Sequence, residues 1–169
     1  SKTTIGAIPI GQEVTVTSIQ LVAAIAAIAN DGKYMRPYYV KAIRDPNGST
    51  VQEFHPKEET QVIHADIARR VKSILQAVVD EGTATSAKMK DITAAGKTGT
   101  AQKVVDGKYS HSKFVASFIG FAPVDDPKLA VVVTVDNPHP NYYGGIVAAP
   151  VFKEVVQDSL RYLAAKGRH

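Results

Sequence analysis

Two short apolar stretches, Phe114-Val115-Ala116-Ser117-Phe118-Ile119 and Ala130-Val131-Val132-Val133, constrain this chain more than anything else in it. Neither alternates apolar with polar residues, so a strand built from either carries apolar side chains on both faces. The link between them is short and contains Val124-Asp125-Asp126-Pro127, a turn signal with no room for a crossover helix, so the strands run antiparallel. An antiparallel sheet needs two apolar faces only when both are covered, and helices are therefore predicted on each side of it. Three strands are expected, Ala94 to Val105, Lys113 to Phe121 and Leu129 to Val135, the first two separated by Asp106-Gly107.

The covering helices have their own signals. Thr17 followed by Gln20 reads as a capping box ahead of the apolar run Ile19 to Ala29, which Asn30-Asp31-Gly32 stops. Apolar residues surround that helix and its alanines permit close approach, so it is expected inside the protein. Ile67, Val71, Ile74, Leu75 and Val78 recur at helical spacing among charged residues, and Gly82 closes this amphipathic, half-exposed helix. Pro150 opens a last helix carrying Phe152, Val155, Val156, Ser159 and Leu163. Between the first two helices, Tyr38 to Ile43 and Thr50 to Phe54 flank Asp45-Pro46-Asn47-Gly48 and predict a small hairpin. The fold class is α+β, an antiparallel β-sheet flanked by helices, in one domain over residues 1–169, without repeat, low-complexity tract or linker.

Composition narrows the function. The net charge of +4 comes from 20 Lys+Arg against 16 Asp+Glu. The basic residues are scattered singly, which argues against nucleic acid as a partner. The longest apolar run, Leu21 to Ala29, is far short of the roughly 20 residues a bilayer requires. No basic segment leads into an apolar one at the N-terminus, so no signal peptide is expected in the chain. The sequence has no cysteine, which removes disulfides, thiolate chemistry and Cys-type zinc sites.

Chemistry concentrates in Ala95-Gly96-Lys97-Thr98-Gly99-Thr100-Ala101, a cation, two hydroxyls and two glycines on an expected edge strand. Glycine lets a ligand lie close, Lys97 supplies positive potential, and the Thr98 and Thr100 hydroxyls can hydrogen-bond a carboxylate. A free strand edge also offers main-chain groups to an extended peptide. Together these describe a cleft for an anionic, peptide-like substrate. One rival is a phosphate-binding loop ending in Gly96-Lys97-Thr98, but that loop needs a glycine where Asp91 stands and a helix where Ala101-Gln102-Lys103-Val104-Val105 suggests strand. The other is a turn with no function.

Lys97-Thr98-Gly99-Thr100 resembles the Lys-Thr-Gly motif of penicillin-recognising serine acyl transferases, and its surroundings resemble class B penicillin-binding proteins, the peptidoglycan D,D-transpeptidases. The similar stretches are Gly11-Gln12-Glu13 through Gln20-Leu21 to Ala29-Asn30-Asp31-Gly32, Gly96 to Gln102, Phe118-Ile119-Gly120-Phe121-Ala122-Pro123, Tyr142-Tyr143-Gly144-Gly145 and Ala148-Ala149-Pro150-Val151-Phe152. They span nearly the whole chain, in order. The resemblance implies a partial penicillin-binding/β-lactamase-like transpeptidase fold and places Lys97 beside the nucleophile as a source of positive potential. Thr98, Gly99 and Thr100 would bind the carboxylate and amide of a stem peptide or β-lactam, and the Thr100 N–H would form half of an oxyanion hole. The implied reaction is serine acyl transfer that cross-links stem peptides, with no metal or organic cofactor.

One departure matters. Such enzymes carry Ser-x-x-Lys and Ser-x-Asn motifs before the Lys-Thr-Gly strand, and neither precedes Lys97. Ser110-His111-Ser112-Lys113 matches the first formally, but it follows Lys97 in an expected polar loop and reads as a chance match. The chain thus resembles only the C-terminal part of a transpeptidase domain, with the nucleophile-bearing part missing, and is expected to be inactive alone. The longer protein would sit at the bacterial cytoplasmic membrane with this domain outside, the piece itself being soluble. The alternative is a non-catalytic penicillin-sensing or interaction module. Loss of the N-terminal part would expose apolar surface, so self-association is expected. His55, His64, His111, His139 and His169 show no metal spacing. Asp136 reads as a strand-ending turn, Lys103 and Lys108 as surface, and Asn141 to Gly145 as a loop with a possible role facing substrate.

Overall fold

The computed structural model describes residues 14–167. Helix α1 (Ser18–Ala29) begins with the expected capping box: the Gln20 N–H donates to Thr17 Oγ1 at 3.3 Å, and the Thr17 N–H donates to Gln20 Oε1 at 2.9 Å. Asp31 and Gly32, at φ 52° and 85°, turn the chain out of the helix. Helix α1 is less enclosed than its composition suggests: Ala23, Ile25, Ala27 and Ala29 are buried, but Ile19 and Ala24 are exposed. Only one side of it finds a neighbour among the described residues.

Strand β1 (Lys33–Met35) pairs antiparallel with β4 (Glu58–Gln61), and β2 (Ala42–Arg44) with β3 (Thr50–Glu53). The β2–β3 hairpin is the predicted one, with Asp45 Oδ1 accepting the Asn47 and Ser49 N–H groups at 2.9 Å each. It is shorter than expected, because the bond from Phe54 N–H to Lys41 O is its last rung and Pro56 follows. Tyr38 to Val40 therefore have no strand opposite them among the described residues. The β1–β4 pair was not anticipated, since every residue of Glu58–Gln61 is exposed and the segment carries no apolar alternation.

Helix α2 (Ala65–Asp80) spans the predicted range, but its inner face is rotated. Ala68 and Val79 are buried, Val71, Leu75 and Val78 are half-buried, and Ile67 and Ile74 look outward, Ile74 at 64% exposure. Asp31 ties α1 to α2 by accepting a 2.8 Å hydrogen bond from Lys72 Nζ, whose side chain is largely buried. That bond above all holds the Asp31 carboxyl below the ordinary carboxylate range; partial burial opposes it, and the charges of Lys72, Arg69 and Lys33 add to it. A short 3-10 turn, Thr85–Ala87, leads to the main sheet.

That sheet has the order β5-β6-β7, from Ala95–Val105, Lys108–Ala122 and Leu129–Asp136, antiparallel throughout. Asp106 and Gly107, at φ 51° and 76°, form the tight turn between β5 and β6. Because this turn is only two residues long, pairing resumes at once with Val105 opposite Lys108, and β6 starts earlier than the expected Lys113. Ser110 therefore lies in a strand, not in a loop.

The doubly apolar strands are covered as predicted. On one face, Phe118, Ala122, Val131, Val133 and Val135 meet Phe152 and Val156 of α4 (Ala149–Lys166), with the Phe118 and Phe152 rings 4.6 Å apart. On the other, Ala95, Ile119, Phe121 and Ala130 meet Ile25 and Ala29 of α1 and Leu75 of α2. In α4 the inward row is Phe152, Val156 and Leu160, spaced by four, which leaves Val155 and Leu163 outside. No polar or charged residue is fully buried among the described residues.

Two glycines let β5 and β6 close around Phe118. A methyl group on Gly96 would lie 2.5 Å from Phe118 Cζ, and one on Gly120 would lie 2.5 Å from Ala95 O. Gly96→Ala should thus destabilise the chain by about 1–3 kcal/mol through overpacking, as a lowered denaturant midpoint. The sign for Asp31 also follows: a depressed folded-state pKa contributes stability above the unfolded-chain value of about 3.9 and loses it as pH falls through the lower folded value. Asp31→Asn, which tolerates the same backbone, should cost about 0.5 kcal/mol at neutral pH, the partly exposed pair being screened by solvent. The two proteins should converge in denaturant titrations once the pH has fallen below the folded-state value.

Candidate functional site

Strand β5 has β6 on one side and, among the described residues, no strand on the other, so its residues around Thr98 form an edge of the sheet. Lys97 and Thr100 are exposed and Thr98 and Gly99 half-buried. The Lys97 ammonium donates to the Thr98 carbonyl at 2.9 Å and lies 3.3 Å from Thr98 Oγ1. This cation is held at the strand surface by the strand's own backbone, with its remaining capacity facing outward.

Both threonine hydroxyls are fixed by segments distant in sequence. Thr98 Oγ1 is 3.1 Å from Thr83 Oγ1, in the loop after α2, and Thr100 Oγ1 accepts the Gly144 N–H at 3.2 Å. Gly144 opens the short helix α3 (Gly144–Val147) and is buried where only glycine fits: a methyl there would lie 2.5 Å from Gly99 O and closer still to Ser117 O. Gly145 backs onto the Thr83 carbonyl, with Thr98 Cγ2 also beside it. The loop that was read as substrate-facing, Asn141 to Gly145, therefore does reach the Lys97–Thr100 strand.

The glycines of β5 act differently from the sequence expectation. Gly96 makes room for Phe118 and Ile119 O, and Gly99 for the Ser117 hydroxyl, so both serve contacts within the chain. The loop's tyrosines join a strand residue in an aromatic row: the Phe114 and Tyr142 rings stack at 4.1 Å and 11°, and Tyr143 lies 4.5 Å from Tyr142 with 54% exposure. The Tyr142 hydroxyl donates to Tyr143 Oη at 3.3 Å. That bond favours the protonated phenol and pushes the Tyr142 pKa up.

The remaining candidates are separated from this edge. Ser110 Oγ accepts the Ser112 and Lys113 N–H groups at 3.2 and 3.0 Å, closing a local turn within β6. It lies six residues along β6 from Ala116, the partner of Thr100, or about 20 Å. The formal Ser-x-x-Lys match thus forms no catalytic pair. Gly96-Lys97-Thr98 sits inside a strand with no helix after it, which removes the phosphate-loop reading. Lys103 is not simply surface: it reaches across the sheet to Asp136 at 2.8 Å. Lys108, His55, His64, His111 and His139 are exposed, and among the described residues no cluster of three or more His, Asp or Glu is arranged to hold a metal. His169 and Gly11-Gln12-Glu13 lie outside the described residues. Thr83 carries no signal in the sequence: it follows Gly82, the helix stop, and belongs to no motif.

The family model of the penicillin binding protein transpeptidase domain matches residues 1–157, and the chain belongs to that family. It is 46% identical over 160 residues to stage V sporulation protein D of Bacillus subtilis (strain 168), covering 94% of this chain and 25% of that protein. It is 36% identical over 155 residues to the probable peptidoglycan D,D-transpeptidase PenA of Neisseria flavescens, covering 90% of this chain and 36% of the relative. Among solved structures, penicillin binding protein 3 of Mycobacterium tuberculosis complexed with aztreonam superposes with a TM-score of 0.87 at 33% identity, covering 97% of this chain and 39% of that one. The chain thus spans about a quarter to a third of the curated relatives just named. The α+β class and the penicillin-binding resemblance are both borne out. Among the described residues no helix is long and apolar enough to cross a membrane.

The aromatic row yields its own check. Tyr143→Phe removes the acceptor of the Tyr142 proton while keeping the ring, so the Tyr142 pKa should fall back toward the ordinary tyrosine value in an NMR titration of ring-labelled tyrosine.

Proposed function

We propose that this chain is the C-terminal, substrate-gripping portion of a peptidoglycan D,D-transpeptidase domain, and that a serine outside residues 1–169 makes the bond. The observation that carries this reading is the free edge of β5, where Lys97 and the hydroxyls of Thr98 and Thr100 stand together with both hydroxyls held in place. Lys97 supplies positive potential, Thr98 and Thr100 receive the terminal carboxylate of a stem peptide or β-lactam, and Gly99 keeps the strand close to its partner. The Thr100 N–H stabilises the oxyanion of the tetrahedral intermediate.

In the reaction, the serine hydroxyl adds to the carbonyl between two terminal D-alanines. The C–N bond breaks and D-alanine leaves as the amine carrying the proton, with an ester left on the serine. The amine of a neighbouring stem then displaces the serine, which recovers its proton, and the cross-link forms. By its likeness to the cell-wall transpeptidases, the longer protein acts on the outer side of the cytoplasmic membrane. Without the rest of the domain the exposed apolar residues of α1 and α2 favour self-association. Lack of Ser-x-x-Lys before Lys97 also suits a non-catalytic penicillin sensor, and the coding sequence ahead of Ser1 separates the two readings.

Intact-mass measurement after exposure to benzylpenicillin tests the assignment. This chain should gain no adduct, whereas the longer protein should gain one penicilloyl group, lost about ten- to a hundredfold in rate on Lys97→Met as a charge-assisted contact disappears. An adduct on Ser110 would overturn the reading.

A further inference from the structure

The geometry points to Thr83 as a positioning residue that sets which way the Thr98 hydroxyl donates, and so tunes the recognition of a carboxylate at the β5 edge. The inference rests on the transpeptidase reading of that edge and deepens it. Thr83 belongs to no motif in the chain and lies 15 residues before Thr98, yet its Oγ1 is 3.1 Å from Thr98 Oγ1. Lys97 Nζ, a donor only, lies 3.3 Å from the same oxygen.

A threonine hydroxyl has one proton and two acceptor sites. With Lys97 on one acceptor site and the Thr83 O–H on the other, the Thr98 oxygen is saturated as an acceptor, and its own proton is left for an anion. Reverse the Thr83–Thr98 bond and that proton is spent inside the protein. An incoming carboxylate, which accepts and never donates, selects the first arrangement; a neutral amide does so far less. Thr83 is kept in place by its own backbone: its carbonyl packs against Gly145, whose neighbour Gly144 donates to Thr100 Oγ1 at 3.2 Å. The two hydroxyls at the edge are thus oriented by two loops that also touch each other.

The test compares binding of N-acetyl-D-alanyl-D-alanine and of its C-terminal amide to the chain, by NMR titration. For Thr83→Val, affinity for the acid should fall about three- to tenfold, the net worth of one hydrogen bond, with affinity for the amide unchanged. Thr83→Ser should restore the acid's affinity. An equal loss for acid and amide, an unaltered preference in Thr83→Val, or no preference for the acid in the unmodified chain would overturn the inference. These readouts need no nucleophile, so they are independent of whether the longer protein is acylated by benzylpenicillin.

Discussion

The edge proposed to grip substrate depends on a packing constraint one layer beneath it. Phe118 is wholly buried at the centre of β6, and its ring occupies the space that side chains on Gly96 and Gly120 would fill. Those glycines face each other across the β5–β6 ladder, so the strands close on the ring from both sides, and Phe152 of α4 meets it from the adjoining layer. Lys97 and Thr98 follow Gly96 directly, so any sideways motion of β5 that displaced them would have to open this contact. Close-packed interiors resist such motion because a small separation forfeits much of the dispersion energy. The positions of the cation and hydroxyls are therefore inherited from a wholly buried aromatic ring.

Around that centre the protein separates apolar from polar work almost completely. The described residues include no buried charge, and the polar contacts at β5 are all near the surface, where lysine and threonine lose little hydration. Short polar links do the alignment. Asp31–Lys72 joins the first two helices, Lys103–Asp136 spans the sheet, and the pairs Thr83–Thr98 and Thr100–Gly144 fasten two loops to one strand. Each is individually weak, but each acts on a backbone already fixed by packing, so little entropy remains to be lost when it forms.

What could be read from residues alone divides along the same line. Strands apolar on both faces can exist only between two layers, and Phe118 and Phe121 do point to opposite helices as that argument requires. The capping box at Thr17 was legible because its signal is contained within four residues. By contrast, β4 escaped notice because Glu58–Gln61 pairs in water with no apolar face to betray it. Ile67 and Ile74 look like core residues in one dimension, yet the helix turns them outward, since periodicity defines an apolar stripe and not which part of it finds a partner. Lys97, Thr98 and Thr100 stand out as candidates from residue type and spacing alone. Thr83 and Phe114 were not, because each joins the site through a contact between distant segments.

The proposed division between grip and nucleophile has a physical rationale. A carboxylate is strongly hydrated, and a site that replaces its water with donors must present them already oriented, or the ordering cost cancels the gain. Hydroxyls rotate freely, so two threonines on a flexible strand would be poor at this. Placed two residues apart on one β-strand, Thr98 and Thr100 share a face, and each is met by a partner from another loop. On the proposed reading, the strand presents its donors already oriented before an anion arrives. Such an edge requires of the nucleophile only that it be delivered to a fixed point, which is why recognition can reside in a separate stretch of chain from bond making. On this view the specificity of the edge comes from the orientation of two protons, and the residues that hold those protons in place belong to the site as much as those that touch the substrate.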